Sequence, residues 1–134
     1  NILWQGACAG IERIGLIDFQ DAMIGPAAYD VASLVQDARV SVEPQLHDQL
    51  VARYENARAA EPGFDPLAFR QALAMMEAQR ATKILGIFVR LDKRDGKPAY
   101  LKHLPRIEAY LLDHPVLYPL RDCYDKIGFA LSES

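Results

Sequence analysis

The apolar run 14–17 stops abruptly at Asp18, and after residue 22 the pattern of the chain changes from strand to helix. A second short apolar run covers 2–4, and the intervening residues 6–13 contain two glycines, which favours a hairpin loop. We therefore expect strands at 2–4 and 14–18, with the apolar residues of the second strand buried so that they fix Asp18. Since the remainder must pack as helices, the predicted fold is α+β and predominantly helical, with a short N-terminal β-hairpin.

Five helical segments are predicted in the rest of the chain, from apolar spacing and from the positions of proline and glycine. They cover 27–39, 44–59, 66–91 with Asp65 as its N-cap, 99–113 bent at Pro105, and 116–127. No repeat, low-complexity tract or linker divides the 134 residues. We therefore expect a single domain over residues 1–134.

Charge and composition exclude several classes of partner. The net charge of −3 offers no general attraction to nucleic acid or to an anionic membrane. No run approaches the roughly 20 apolar residues of a membrane span, and no basic-then-apolar leader opens the chain. Cys8 and Cys123 lack a CxxC or Cys/His companion, and His47, His103 and His114 lack ligand spacing. These features predict a soluble cytoplasmic protein with reduced thiols and with surface or capping histidines.

The segment 66–91 is apolar on both faces, which predicts a central helix. Arg80 interrupts its main apolar stripe, and Lys83 lies beside that stripe. A guanidinium on such a face is costly unless it is paired. Arg80 either pairs with a helix carboxylate such as Asp30 or Asp37 and braces the bundle, or it meets an anionic substrate or phosphate at a cleft.

A carboxylate and an amide stand at the ends of the two predicted strands, because Asp18 ends the second strand and Asn1 precedes the first. Mg²⁺ accepts hard oxygen ligands, usually one or two protein groups together with phosphate oxygens of the substrate. Phosphoryl transfer asks little of a protein beyond positioning and charge neutralisation, so this pair suits a magnesium–nucleotide site. Asp18 is also a residue type that ends strands or caps helices. Asp21 either caps the following turn or is a second acidic group at the metal.

Three short motifs together resemble the aminoglycoside-phosphotransferase branch of the protein-kinase-like fold. They are Asn1-Ile2-Leu3-Trp4, Ile17-Asp18-Phe19-Gln20-Asp21-Ala22, and Gly25-Pro26 followed by Tyr29-Asp30-Val31-Ala32-Ser33-Leu34. The later runs 79–90 and 94–98 look like those of the anomeric kinases for N-acetylmuramate and N-acetylglucosamine, which serve bacterial cell-wall recycling. The resemblance implies the helical C-terminal lobe of a kinase-like fold.

The resemblance also implies roles for individual residues. Asn1 would end a His-x-Asp-x-x-x-x-Asn loop and bind Mg²⁺ together with Asp18, with ATP as co-substrate. Asp30 would brace this catalytic loop from beneath. The catalytic-base aspartate would lie upstream of Asn1, and the nucleotide-binding lobe is missing as well, so we expect this chain alone to be inactive. Its apolar surface would be exposed where that lobe docks, or would mediate self-association.

No motif specifies the substrate contacts. Gln79, Arg80 and Arg90 are candidates because polar groups on a central helix need partners. Within the family the alternative acceptors to an amino sugar are an aminoglycoside, choline or homoserine. The basic residues between Arg80 and Lys97 favour a neutral or anionic sugar over a polycation. The competing hypothesis is a non-catalytic helical module that binds a partner, in which the strand-end acids are only caps.

Overall fold

The computed structural model describes residues 2–18, 20, 22–112, 114–126 and 128. Two strands, β1 (Ile2–Trp4) and β2 (Ile14–Leu16), form an antiparallel hairpin whose connection contains a 3₁₀ helix, Gly10–Arg13. Five α-helices follow in the described residues: α1 (Ala28–Val35), α2 (Pro44–Arg58), α3 (Pro66–Asp95), α4 (Leu104–Leu112) and α5 (Arg121–Lys126). The predicted α+β, predominantly helical fold with an N-terminal hairpin is confirmed.

The first three helices differ from the prediction mainly at their ends. α1 stops four residues early because Asp37 folds the chain into a turn, in which its Oδ1 accepts hydrogen bonds from the backbone N–H groups of Arg39 and Val40 (2.7 and 2.8 Å). α3 continues about one turn beyond the predicted end, to Asp95. Gly96 then adopts the left-handed conformation (φ 62°) that commonly ends a helix.

The C-terminal segments are less regular than predicted. The segment predicted at 99–113 is a 3₁₀ helix, Pro98–His103, that passes into α4 beside Pro105, where a bend was expected. The prediction of one helix over 116–127 is wrong. A 3₁₀ helix, Pro115–Leu120, comes first and α5 follows it. Pro119 lies inside the 3₁₀ helix, and because a proline has no N–H to donate, it opposes a continuous α-helix there.

α3 is the central helix, as predicted, and it packs against α1 and α4. Buried side chains form two clusters along it. The α1-side cluster consists of Ala28, Ala32, Val35, Val51, Phe69 and Leu73. The α4-side cluster consists of Ala78, Ala81, Phe88, Ile107, Leu111, Leu117 and Tyr124. Full burial of a large aliphatic side chain contributes about 1.5–3 kcal/mol, so fully buried residues such as Leu111 stabilise the bundle most.

The hairpin contradicts one expectation. The apolar residues of the second strand were predicted to be buried, but Ile14, Leu16 and Ile17 remain 47%, 68% and 46% exposed. The apolar side chains of β1 are exposed too. The physical reason is that a two-stranded sheet needs a second layer to bury a face, and no other part of the described chain covers this one.

Two further features of the described residues concern membrane-spanning helices and cysteines. No helix in this part of the chain is both long enough and apolar enough to span a bilayer. Cys8 and Cys123 are free.

Candidate functional site

Asp18 directly follows the hairpin and has an unusual backbone conformation. Its φ of 63° makes it the non-glycine residue with positive φ in the described part of the chain. Aspartate tolerates the left-handed region better than most residues, but holding it there still costs on the order of 1 kcal/mol. The carboxylate is exposed, and its Oδ1 accepts a hydrogen bond of 2.9 Å from the side-chain Nε2 of Gln20. A local turn therefore presents this carboxylate, whereas the sequence suggested a buried strand.

The register of the hairpin determines which residues lie near its open end. Ile2 pairs with Leu16 and Trp4 pairs with Ile14. The beginning of β1 and the end of β2 consequently lie side by side, with Asp18 two residues beyond the Ile2–Leu16 pair. Asn1 and Asp21 lie outside the described residues, so their assigned roles stay predictions.

The donor chemistry of Asp18 suits magnesium. No group of three or more His, Cys, Asp or Glu side chains within the described residues is arranged to hold a metal ion. Magnesium bound to a nucleotide does not need such a cage, because phosphate oxygens and waters complete its coordination around one or two protein groups. An exposed carboxylate at Asp18 is one such hard oxygen donor.

Asp30 lies in the first turn of α1 and is exposed. A carboxylate near a helix N-terminus interacts favourably with the helix dipole, typically by about 0.3–1 kcal/mol. This local role explains an aspartate here. The brace beneath a catalytic loop, which the resemblance implies for Asp30, stays a prediction.

The part of the chain that contains these residues determines its family. Residues 1–70, which include Asn1, Asp18 and Asp30, match the model of the phosphotransferase enzyme family. This chain belongs to the phosphotransferase enzyme family. The predicted resemblance is thereby confirmed, and the helical architecture with its hairpin agrees with the kinase-like fold that this family implies.

Three bacterial relatives of this phosphotransferase-family chain are named N-acetylmuramate/N-acetylglucosamine kinase. The protein from Caulobacter vibrioides is 37% identical over 129 residues, which is 94% of this chain and 35% of the relative. The protein from Pseudomonas aeruginosa is 44% identical over 102 residues (72% and 30%), and that from Neisseria meningitidis serogroup B is 44% identical over 104 residues (74% and 30%). The chain spans about a third of the length of these relatives.

Arg80 of this phosphotransferase chain makes a contact that the sequence did not suggest. Its guanidinium carbon lies 5.0 Å from the centre of the Tyr29 ring in α1. Neither expected ion pair, with Asp30 or Asp37, is present between these described side chains, and Asp37 instead accepts backbone hydrogen bonds. The Nε of Arg80 is buried without a hydrogen-bond partner in the described structure. The ion-pair prediction is wrong, and a cation–π contact joins α3 to α1 in its place.

The other residues suggested for substrate binding lie on the surface of α3. Gln79 and Arg90 are exposed, and their part in binding substrate stays a prediction. Some of the basic charge that follows Arg80 is balanced locally. Arg94 Nε lies 2.7 Å from an oxygen of the neighbouring Asp95, and Lys93 lies 3.8 Å from Asp92. The basic character of this region is therefore a weak guide to the acceptor.

An ionic cluster around the buried Glu77 of α3 was not predicted from the sequence. Glu77 is 7% exposed, and its Oε1 lies 2.9 Å from Nε2 of His47, while its Oε2 lies 3.7 Å from Nε2 of His114. The prediction of surface or capping histidines is wrong for these two. A usable signal existed in the sequence: Glu77 continues the four-residue spacing of the buried Phe69 and Leu73.

Electrostatics keep Glu77 and His47 ionised in mildly acidic solution. Burial lowers the pKa of His47, but hydrogen bonds and charge attraction from Glu77 and Asp48 outweigh burial and raise the pKa above its usual 6.5. Burial raises the pKa of Glu77, but His114 and His47 outweigh it and lower the pKa below its usual 4.5. Glu77 therefore carries its negative charge opposite a protonated His47 between these two values.

Proposed function

We propose that this chain is the helical C-terminal part of an ATP-dependent kinase that phosphorylates the anomeric hydroxyl of N-acetylmuramate or N-acetylglucosamine. The observation that carries the proposal is Asp18, an exposed carboxylate held in a strained backbone at the end of the hairpin, within the family match over residues 1–70. The names of the three relatives support this acceptor.

Asp18 and Asn1 would hold Mg²⁺, which when bound neutralises charge on the phosphates of ATP. The hydrogen bond from Gln20 restrains the carboxylate of Asp18 before any ligand arrives, which lowers the ordering cost of binding. Asp21 would cap the turn that follows, and Asp30 would support the catalytic loop.

The transfer forms a bond between the anomeric oxygen and the γ-phosphorus and breaks the bond between that phosphorus and the oxygen that leaves with ADP. The proton of the sugar hydroxyl goes to an aspartate that would lie upstream of Asn1 in the whole protein. Under this proposal no residue of the chain is assigned the role of this base, and the isolated chain would be inactive.

The hairpin surface is where the rest of the protein would dock. Trp4 is 68% exposed and Met23 90% exposed, and other large apolar side chains within residues 2–24 are exposed as well. These are Ile2, Leu3, Ile14, Leu16, Ile17 and Ile24. So many exposed large apolar side chains in one short stretch are unusual on the surface of a soluble monomeric protein. Because the chain spans about a third of its relatives' length, we assign the covering part to the nucleotide-binding lobe. In the isolated chain the same surface would drive self-association.

Substrate and setting follow from the same proposal. The acceptor is a small amino sugar and the donor is a nucleotide, with no role for nucleic acid or membrane, and the protein would work in the cytoplasm on cell-wall recycling products. The candidates for contact with the sugar are Gln79, Arg80 and Arg90. The carboxylate of N-acetylmuramate would favour contact with the two arginines.

The test uses the full-length protein incubated with ATP, magnesium and either amino sugar, followed by phosphorus NMR. The proposal predicts a new sugar 1-phosphate signal that grows as the γ-phosphate signal of ATP declines. Parallel incubations with an aminoglycoside, choline and homoserine should leave ATP unchanged. ATP consumption with one of these and not with the sugars would overturn the acceptor. ATP intact with every acceptor, and nucleotide affinity unaffected by magnesium, would favour a non-catalytic module.

A further inference from the structure

Glu77 lies on α3 at the junction between the two core clusters. The buried residues of α3 on its N-terminal side, Phe69 and Leu73, belong to the α1-side cluster, and those that follow it, Ala78 and Ala81, belong to the α4-side cluster. Glu77 is the buried charged residue of the described core. A carboxylate at such a position costs several kcal/mol unless it is paired, so its partners decide how firmly the junction holds.

The two histidines reach Glu77 from opposite sides of this junction. His47 comes from α2, four residues before Val51 of the α1-side cluster. His114 comes from the segment after α4, three residues before Leu117 of the α4-side cluster. One carboxylate therefore connects two elements that belong to different clusters, with one of its oxygens toward each.

We propose that His47, Glu77 and His114 form a proton-operated latch that fastens the two halves of the helical bundle to each other. Four titratable groups meet here. From α2, Asp48 lies 3.0 Å from Nδ1 of His47, and His47 itself faces Glu77. From the segment after α4, His114 faces Glu77 with a side chain that is 10% exposed. Its Nδ1 is buried without a hydrogen-bond partner in the described structure.

The sign of the pH effect follows from the pair between His47 and Glu77. Protonated His47 neutralises the buried carboxylate, and loss of that proton leaves Glu77 charged and poorly compensated. A histidine whose pKa is raised on folding stabilises the protein fully below its unfolded value and loses this contribution as pH rises through the folded value. Glu77, whose pKa is lowered, adds stability above its unfolded value and loses it in more acidic solution. The latch is closed in mildly acidic solution and opens on the alkaline side.

The experiment measures hydrogen exchange by mass spectrometry on the full-length protein at about pH 6 and about pH 8.5, after correction for intrinsic exchange rates. We expect protection of residues 44–58, which contain His47, to fall several-fold at the higher pH. In Glu77→Gln, which removes the charge and keeps the shape, protection should be low at both pH values and nearly independent of pH.

Glu55→Gln is the matched control. Glu55 of α2 pairs with Arg70 of α3 through two hydrogen bonds (2.6 and 2.8 Å), so it joins the same two helices. Arginine does not titrate in this range, and this variant should therefore keep the pH dependence of the parent protein. Equal pH dependence in the parent and in Glu77→Gln would overturn the latch.

A second measurement does not depend on whether Glu77→Gln folds. In the unmutated protein with ¹³C-labelled histidine, NMR titration should show His47 losing its proton above pH 6.5. His114→Gln should release residues 114–120 while α2 keeps its protection at the lower pH. Titration of His47 at or below pH 6.5 would overturn the proposal.

Discussion

The guanidinium of Arg80 lies over the ring of Tyr29, 5.0 Å from its centre, and so links the middle of α3 to the first turn of α1. Tyr29 directly precedes Asp30, and α1 begins ten residues after Asp18. The contact therefore fixes the helix that follows the candidate magnesium site. Two opposing effects act on Arg80: the cation–π contact stabilises the protein, and the buried Nε without a hydrogen-bond partner destabilises it.

Substitutions of Tyr29 and of Arg80 should lower the free energy of unfolding by different amounts. Tyr29→Leu leaves the guanidinium without its ring and should destabilise the protein by about 1–2 kcal/mol. Arg80→Met removes the cation–π contact but also the buried Nε that lacks a partner, so it should cost less than about 1 kcal/mol. Urea unfolding measures both. A loss above about 2 kcal/mol for Arg80→Met would indicate a buried ion pair, contrary to this account.

The N-cap of α3 gives a second prediction. Oδ1 of Asp65 accepts hydrogen bonds from the backbone N–H groups of Leu67 and Ala68 at 2.8 and 3.3 Å. Asp65→Ala leaves these donors unsatisfied and should cost about 1 kcal/mol. Asp65→Asn keeps a capping oxygen and should lie close to the parent protein in the same thermal or urea unfolding series. Equal losses in the two variants would mean that the cap does not stabilise the helix.

The α4-side cluster should depend most on its fully buried members. Leu111→Ala removes a side chain with no exposed surface and should cost about 2–5 kcal/mol, because it leaves a cavity. Leu120→Ala, at a leucine that is 48% exposed, should change the free energy of unfolding by about 0.5 kcal/mol or less. A small loss at Leu111 would show that the cluster collapses around the cavity or packs differently.

The proposed docking of a nucleotide-binding lobe on the hairpin predicts that Trp4 stabilises the full-length protein, although its side chain is exposed in this chain. If such a lobe covers the hairpin, Trp4→Ala in the full-length protein should cost about 1.5–3 kcal/mol, because the ring would be buried there. Leu67→Ala is the control, since Leu67 has nearly the same exposure (66%) but lies on α3, away from the hairpin in sequence. Similar small losses at both positions, measured by chemical unfolding, would contradict docking at the hairpin.

The sequence predicts the elements of this fold well where the signal is local. Asp65 and Pro66 act within one turn of the chain, so the start of α3 follows from them, whereas its end was placed four residues too early. The end of α1 was misplaced because Asp37 closes a turn through its own side chain, a choice that apolar spacing does not reveal. The prediction of one continuous helix over 116–127 was wrong because it overlooked Pro119, which opposes an α-helix there.

The candidate site shows the same division. Asp18 was identified from the abrupt end of an apolar run. The exposure of Leu16 was not foreseen, because burial of a strand face needs a second layer that no other part of the described chain supplies. The Glu77 cluster was missed because its partners are 30 and 37 residues away in sequence, and burial of a charge is settled by tertiary packing alone. The sequence shows the spacing that places Glu77 on the buried face of α3. It does not show that His47 and His114 pair with Glu77.

The most direct test of the central claim is turnover of Asp18→Ala in the full-length protein with ATP, magnesium and N-acetylmuramate. If Asp18 holds the metal, turnover should fall by about 10²-fold or more, because charge on the transferred phosphoryl group loses its neutralising partner. Glu12→Gln changes an exposed carboxylate in the connection between the two hairpin strands, before Asp18, and should leave turnover unchanged. Full activity in Asp18→Ala would contradict the account.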